Sequence, residues 1–254
     1  MQVKAKEARR LKVPADLSPK EVEAFDASVA RVIEKGPHTL MLDCTALSQV
    51  TSSHVNMLWR THLVGSDAGV SVRLASAPDG LIRVLKALDL YDLFSETGET
   101  QKISIPLLLP SAPARPTEVY NDSFCCSVES MNTAQAKFLD FLDRIQAPDM
   151  IGFELRTIFH EVTSNIHTYA DLTAESVIEL QAHSGPEKIT LTFADSGTPF
   201  DPTSKPAEID FARAARTGQK RGFGIVMLHK LTDHMTYCRK DGRVNELTVE
   251  KNWS

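Results

Sequence analysis

Residues 189–202 read ITLTFADSGTPFDP, and this stretch carries the clearest indication of the fold. Its first part alternates apolar side chains with threonines, as expected for a strand with one buried face. Asp195 ends that face, Gly197 follows two residues later, and two prolines prevent a regular continuation. A carboxylate at the end of a buried strand, beside a bare backbone, indicates a ligand site. A turn stiffened by prolines fits the same letters, because D-x-G alone is a weak signal.

The composition limits the class of protein. A chain of 254 residues with 42% hydrophobic and 24% charged residues is long enough for two domains with buried cores. Its net charge of −5, without a basic run, argues against nucleic acid as a partner. No apolar run is long enough to cross a membrane, and the start MQVKAKEARR lacks a signal-peptide core, so we expect a cytoplasmic protein with no membrane partner. The four cysteines show no C-x-x-C spacing and are expected to be reduced thiols.

A proline-rich stretch divides the chain. The segment IPLLLPSAPARP, residues 105–116, has four prolines in twelve residues, which prevents a helix and favours an extended connector. We therefore predict a first domain over residues 1–100, a linker over 101–117 and a second domain over 118–254.

The first domain alternates predicted strands with predicted helices. The strands are expected at Arg10–Val13, Thr39–Asp43 and Val70–Ala75, and the helices at Pro19–Glu34, Ser53–Leu63 and Leu81–Leu88. This alternation predicts an α/β fold, with a mainly parallel sheet and helices packed against it.

Two longer stretches of this domain show a family resemblance. LMLDCTALSQVTSSHVNML (40–58) and GVSVRLASAPDGLIRVLKALDLYDLF (69–94) resemble the STAS domain of anti-sigma factor antagonists, over about residues 8–96. The resemblance implies the STAS fold, a mixed sheet with flanking helices.

The resemblance also implies a phosphorylation site. In that family a serine of a D-S-S/T-G turn at a helix start is phosphorylated by a partner kinase, and the matching residues here are Ser52 and Ser53. A phosphate there would meet free backbone N–H groups and the positive end of the helix dipole. An ordinary N-cap serine is the alternative. Thr51 replaces the usual Asp and His54 the usual Gly, and either change would weaken phosphorylation.

The second domain is predicted to contain strands and two long helices. Strands are expected at Ser123–Val128, Val177–Ala182 and Ile189–Ala194, the last two joined as a hairpin; one helix is expected to end at Pro148 and the next to span Asp149–Tyr169. On the second helix, Glu161 and Asn165 are spaced i, i+4 and lie on one face. Such a pair is usually a solvated helix face. Further on, Gly222 and Gly224 open a helix, which suits either close packing or the approach of a phosphate chain.

Four motifs in this domain follow one another in a specific order. They are E-x-x-x-N (161–165), D-x-G-x-P-F-D-P (195–202), R-G-x-G (221–224) and G-x-x-N-x-L-x-V (242–249). This order resembles the GHKL ATPase fold of anti-sigma factor serine kinases, over about residues 117–251. It implies an α/β-sandwich that binds ATP and Mg²⁺.

The resemblance assigns a role to the first three of these motifs. Asp195 would hydrogen-bond the adenine amino group, Gly197 would let the base approach the backbone, and the prolines after it would turn the chain into the ATP lid. Asn165 would be the magnesium ligand and Glu161 the base that accepts the serine proton. The residues expected to meet the phosphates are Arg221, Gly222 and Gly224. Arg216 and Lys220 are further candidates, or solvent-exposed lid charges.

Together the two resemblances imply a partner-switching regulator, with an anti-sigma type serine kinase fused to a STAS domain that is its regulator or substrate. Its expected partners are a STAS protein, a sigma factor or another signalling protein, and the kinase part is a candidate homodimer. The alternative is a non-catalytic, nucleotide-binding protein that sequesters a sigma factor or a STAS partner.

Overall fold

The computed structural model of the chain describes residues 8–36, 39–95, 117–204 and 223–253. The chain divides into two compact units. The first unit contains β1 (Arg9–Lys12), α1 (Pro19–Glu34), β2 (Thr39–Asp43), α2 (Ser52–Asp67), β3 (Ser71–Ser76), α3 (Asp79–Ala87) and a 3₁₀ turn (Tyr91–Leu93). Its three described strands pair in parallel in the order β1-β2-β3, which confirms the predicted α/β class.

Helix α1 begins and ends where local signals predict. The Ser18 side chain accepts a hydrogen bond from the Glu21 N–H, and Pro19 takes the first helical position, where no N–H is needed. Phe25 and Val29 are buried on one face. Gly36, just beyond the helix, has φ +63°, a conformation that glycine adopts without strain.

Helix α2 is longer than its sequence pattern predicts, because it runs to Asp67 rather than to Leu63. Its last turn contains Gly65, which packs directly on the next strand. A Cβ at that position would lie 2.5 Å from Val72 Cγ2, so the glycine lets the helix and β3 approach closely.

The second unit is a layer of helices on an antiparallel sheet. It contains β4 (Glu118–Cys125), α4 (Val128–Arg144), α5 (Asp149–Tyr169), β5 (Val177–Ser184), β6 (Lys188–Asp195), α6 (Phe223–Leu231), β7 (His234–Lys240) and β8 (Val244–Asn252). The strand order is β4-β5-β6-β8-β7. Aromatic rings join the layers: Phe159 of α5 lies 5.4 Å from Phe138 of α4 and 6.0 Å from Phe193 of β6, between ring centroids. This arrangement confirms the predicted α/β-sandwich.

The strand predicted over Ser123–Val128 is wrong in position. Strand β4 starts five residues earlier, at Glu118, and ends at Cys125. The chain turns there because the Ser127 side chain accepts from the Ser130 N–H and caps α4, so Val128 already belongs to the helix.

The predicted end of α4 at Pro148 is also wrong. The helix stops at Arg144, and Gln146 takes a positive φ of 53° immediately afterwards. Pro148 instead stands at the N-cap of α5, whose bounds agree with the prediction.

A buried ion pair links α5 to β8. Lys251 Nζ lies 2.8 Å from Glu154 Oε2, and their side chains are only 8% and 2% exposed. Lys251 therefore takes an inward position on a strand whose neighbouring inward residues include Leu247 and Val249.

No helix within the described ranges is long and apolar enough to span a membrane.

Candidate functional site

A cavity in the second unit lies among α5, the loop after β6, α6 and the strands β7 and β8. Most of its lining is apolar, with a few polar groups, which is the usual composition of a small-molecule site. Its lining residues are Val162, Asn165, Ile166, Tyr169, Ala170, Phe193, Asp195, Thr198, Phe200, Pro202, Leu228, Tyr237, Asn245 and Leu247.

Asp195 is the carboxylate of this cavity. It is the last residue of β6 and only 8% exposed. Its Oδ1 accepts hydrogen bonds from the Gly197 N–H and from Asn245 Nδ2, both at 2.8 Å. Within the described part of the chain, Oδ2 accepts none. Two donors of the protein thus hold Oδ1 in place, whereas none of the described residues holds Oδ2.

The loop after Asp195 is pinned to the end of α5. The Thr198 N–H donates to the Ala170 carbonyl at 2.7 Å. A Cβ on Gly197 would lie 2.3 Å from that same oxygen, so the close packing requires glycine. Gly197 is not among the residues that line the cavity. Its predicted role, approach of the base to the backbone, stays a prediction.

Asn165 lines the same cavity as Asp195. Its Nδ2 is buried and has no hydrogen-bond partner among the described residues, so the protein does not fix which way the carboxamide turns. The carboxamide oxygen is a suitable ligand for a hard cation such as Mg²⁺. In the described ranges no group of three or more His, Cys, Asp and Glu residues could hold a metal ion.

Glu161 lies one turn before Asn165 but does not line the cavity. It is 3% exposed and sits in the interior of α5. Burial lowers the pKa of the neighbouring His160, which favours its neutral imidazole. The structure thus brings Asn165 and Asp195 to one cavity, and Glu161 is buried without lining that cavity.

The predicted phosphate-binding residues are described only in part. Gly224 is the second residue of α6 and is buried. His229 of the same helix contacts the Pro202 carbonyl through Nε2 at 2.7 Å, which ties α6 to the loop beyond Asp195. The other four candidates lie outside the described residues: Arg216, Lys220, Arg221 and Gly222.

The sequence assigned no role to three polar residues at the site, Tyr237, Arg239 and Asn245. Asn245 Oδ1 accepts from Arg239 Nη1 at 2.6 Å and from the Tyr237 hydroxyl at 2.8 Å. The sequence signal that could have found Asn245 was the alternation of β8, where Asn245 takes the first inward position, ahead of the apolar Leu247. A polar residue at an inward position needs partners, and here those partners include Asp195.

The predicted phosphoacceptors lie at the start of α2 in the first unit. Thr51 is the N-cap, and its side chain accepts from the His54 N–H. The Thr51 N–H in turn donates to His54 Nδ1 at 3.2 Å, which completes a capping box. Ser52 is half-buried and Ser53 is exposed. Both serines occupy the first turn of the helix.

Comparison with known families agrees with this geometry. The family described as the STAS domain matches residues 3–103, and the family described as the histidine kinase-like ATPase domain matches residues 126–251. The chain contains a STAS domain and a histidine kinase-like ATPase domain. The cavity with Asp195 and Asn165 belongs to the ATPase domain, and the Thr51–His54 capping box belongs to the STAS domain.

Comparison with individual proteins is less informative. No curated protein matches the chain. One solved structure that matches is described as the crystal structure of the SiaB-SiaC complex from Pseudomonas aeruginosa; the matching chain is 13% identical, with a TM-score of 0.41. The match covers 52% of this chain and 88% of that one. A likeness of this degree adds nothing to the family assignment.

Proposed function

We propose that the protein is a partner-switching regulator, in which an ATP-dependent serine kinase of the anti-sigma factor type is fused to a STAS domain that is its regulator or substrate. The observation that carries the proposal is the cavity of the ATPase domain, where Asp195 Oδ2 and the Asn165 carboxamide are left without protein partners among the described residues. Its proposed partners are a STAS protein, a sigma factor or another signalling protein in the cytoplasm, and a second copy of the chain.

The cavity accounts for nucleotide binding. The apolar lining covers the faces of the adenine, and Asp195 Oδ2 accepts a hydrogen bond from its amino group. Asn165 would hold Mg²⁺ through its carboxamide oxygen, and the ion would neutralise part of the charge of the phosphates. By the family resemblance, Arg221, Gly222 and Gly224 are the residues proposed to bind the phosphates; the first two lie outside the described residues.

Glu161 supplies the chemical step. It accepts the proton of the substrate serine while the serine oxygen bonds to the γ-phosphorus and the bond to ADP breaks. Because Glu161 is 3% exposed, this role requires the binding of nucleotide or substrate to open a path to its carboxylate. Most of the remaining rate enhancement comes from positioning and charge neutralisation.

The burial of Glu161 also favours a second candidate function. A protein that binds nucleotide without transferring phosphate, and uses it as a switch to hold a sigma factor or STAS partner, needs Asp195 and Asn165 but no accessible base. His54 also favours this second function, because it occupies the usual glycine position of the acceptor turn and forms a capping box with Thr51.

Labelled ATP distinguishes the two functions. The full-length chain is incubated with labelled ATP and magnesium, alone and with candidate STAS proteins, and any labelled serine is mapped. Label on Ser52, Ser53 or a partner serine supports the kinase. Tight ATP binding without label supports the switch, and absence of ATP binding contradicts both.

Two variants separate binding from transfer. Asp195→Asn should lose most ATP affinity in calorimetric titration, because an amide can place a donor against the adenine amino group. Glu161→Gln should keep ATP affinity and lose transfer. Transfer at the unmodified rate by Glu161→Gln would remove Glu161 as the base.

A further inference from the structure

We infer that Arg239 and Asn245 are positioning residues that determine which nucleotide base the cavity of the ATPase domain accepts. The inference rests on the proposed nucleotide binding and adds to it two residues that would act through Asp195; Asn245 also lines the cavity, whereas Arg239 does not. Its basis is a row of three polar side chains across neighbouring strands.

The strand register creates this row. Asn245 of β8 lies directly opposite Asp195 of β6 and directly opposite Arg239 of β7. Residues that lie opposite one another on neighbouring strands project from the same face of a sheet. The three side chains therefore meet on the face that lines the cavity, with Asn245 in the middle.

The hydrogen bonds along this row run in one direction, because the Asn245 carboxamide cannot exchange the places of its oxygen and nitrogen. Its oxygen accepts from Arg239 Nη1 at 2.6 Å and from the Tyr237 hydroxyl at 2.8 Å. Arginine has donors only, so a reversed carboxamide would place its NH₂ against the guanidinium. The Asn245 nitrogen must then face Asp195 Oδ1, at 2.8 Å, and the Gly197 carbonyl, at 3.1 Å.

Arg239 acts on the loop as well. The same Nη1 donates to the Gly197 carbonyl at 3.0 Å, and Nε donates to the Gly242 carbonyl at 2.9 Å. One guanidinium thus connects the β7–β8 turn to the loop that follows Asp195. The carboxylate and its loop are held by one network, whose outer member is a half-buried cation.

This arrangement has a consequence for the ligand. With Oδ1 already bound by two donors, Asp195 presents Oδ2 as an acceptor in a fixed place. A purine with an amino group at that point gains a hydrogen bond, whereas one with a carbonyl oxygen brings two acceptors together. If Arg239 or Asn245 is lost, the carboxylate can rotate, and the discrimination between the two purines falls.

The test compares ATP with inosine triphosphate, which has a carbonyl oxygen in place of the amino group. Both affinities are measured by calorimetry on the full-length protein and on Arg239→Met, Arg239→Lys and Asn245→Leu. The unmodified protein should prefer ATP. In Arg239→Met and Asn245→Leu the ratio of the two affinities should fall by about tenfold, as for the loss of one buried hydrogen bond. Arg239→Lys, which keeps a donor, should retain part of the ratio.

The control is Arg243→Met, in the turn of the same hairpin, where the arginine is exposed. It should leave both affinities unchanged. A purely structural role for Arg239 would lower both affinities together and keep their ratio, and that result would overturn the inference. An unchanged ratio in folded Arg239→Met protein overturns it even if Asn245→Leu does not fold. If the unmodified protein binds neither nucleotide, the proposed function fails and the inference fails with it; if it binds both equally, only the inference fails.

Discussion

Buried polar groups at the start of α2 in the STAS domain differ in their hydrogen bonding from those in the cavity of the ATPase domain. At the start of α2 in the STAS domain, Thr51 Oγ1 accepts from the His54 backbone N–H, and His54 Nδ1 accepts from the Thr51 backbone N–H. In the cavity of the ATPase domain, Asp195 Oδ2 and Asn165 Nδ2 have no partner among the described residues. Polar groups that supply their own partners fix a local shape, whereas groups left unpaired beside a cavity are suited to a ligand.

The largest effect is expected from Gly197→Ala in the ATPase domain. The added methyl group would lie 2.3 Å from the Ala170 carbonyl oxygen, so the loop after Asp195 must move. We expect a loss of stability of about 1–3 kcal/mol, typical of overpacking, together with loss of ATP binding. Urea unfolding and calorimetric titration measure the two effects.

Gly152→Ala is the matched control for that variant. Gly152 lies in α5, and no heavy atom would be within 4 Å of its added Cβ. The change should stabilise the domain by about 0.5–1 kcal/mol, because alanine is the better helix former, and should leave ATP affinity unchanged. Equal behaviour of the two variants would show that the contact with Ala170 does not hold the loop.

A smaller effect is expected from Thr51→Ala in the STAS domain. The substitution removes the N-cap of α2 and should cost about 1 kcal/mol of folding free energy without changing ATP affinity. Ser53→Ala, at an exposed position of the same turn, should change stability by less than about 0.5 kcal/mol. If both variants had the same free energy of unfolding, the capping box would not stabilise the domain, and the contrast between the two domains would lose its energetic basis.

The smallest effect concerns acid stability in the STAS domain. The Thr45 hydroxyl and backbone N–H both donate to Asp43 Oδ1, and Arg10 lies 3.0 Å from Oδ2; together they lower the pKa of Asp43. A carboxyl with a lowered folded pKa contributes stability above its unfolded pKa and loses it as the pH falls through the folded pKa. Asp43→Asn should therefore flatten the decline in stability below about pH 4, measured by urea unfolding across that range. An unchanged pH profile would contradict the assignment.

The sequence was most informative where a signal is local. Helix α5 has the predicted bounds, Asp149–Tyr169, because its apolar stripe is long and a proline precedes it. The order of motifs around Asn165 and Asp195 indicated the ATPase family, and both residues line the cavity. Strand β4 was misplaced because its first residues, from Glu118, alternate half-buried with exposed side chains and give little apolar signal.

Contacts between residues that are far apart in the sequence could not be predicted. Arg239 and Asn245 meet Asp195 because of the register between β6, β8 and β7, which depends on how the sheet assembles. The capping box was missed for another reason. His54 looked like a departure from the glycine of the acceptor turn, and histidine is not a usual partner in a capping box.

The buried pair Lys251–Glu154 has a consequence for how this domain can change in evolution. Loss of either residue alone breaks the pair inside the core, at a cost of about 3–5 kcal/mol, whereas two apolar residues of similar volume can replace the pair at little cost. A lineage that alters one position should therefore soon alter the other. Positions 154 and 251 should covary among relatives, which links the middle of α5 to the last strand although nearly a hundred residues separate them.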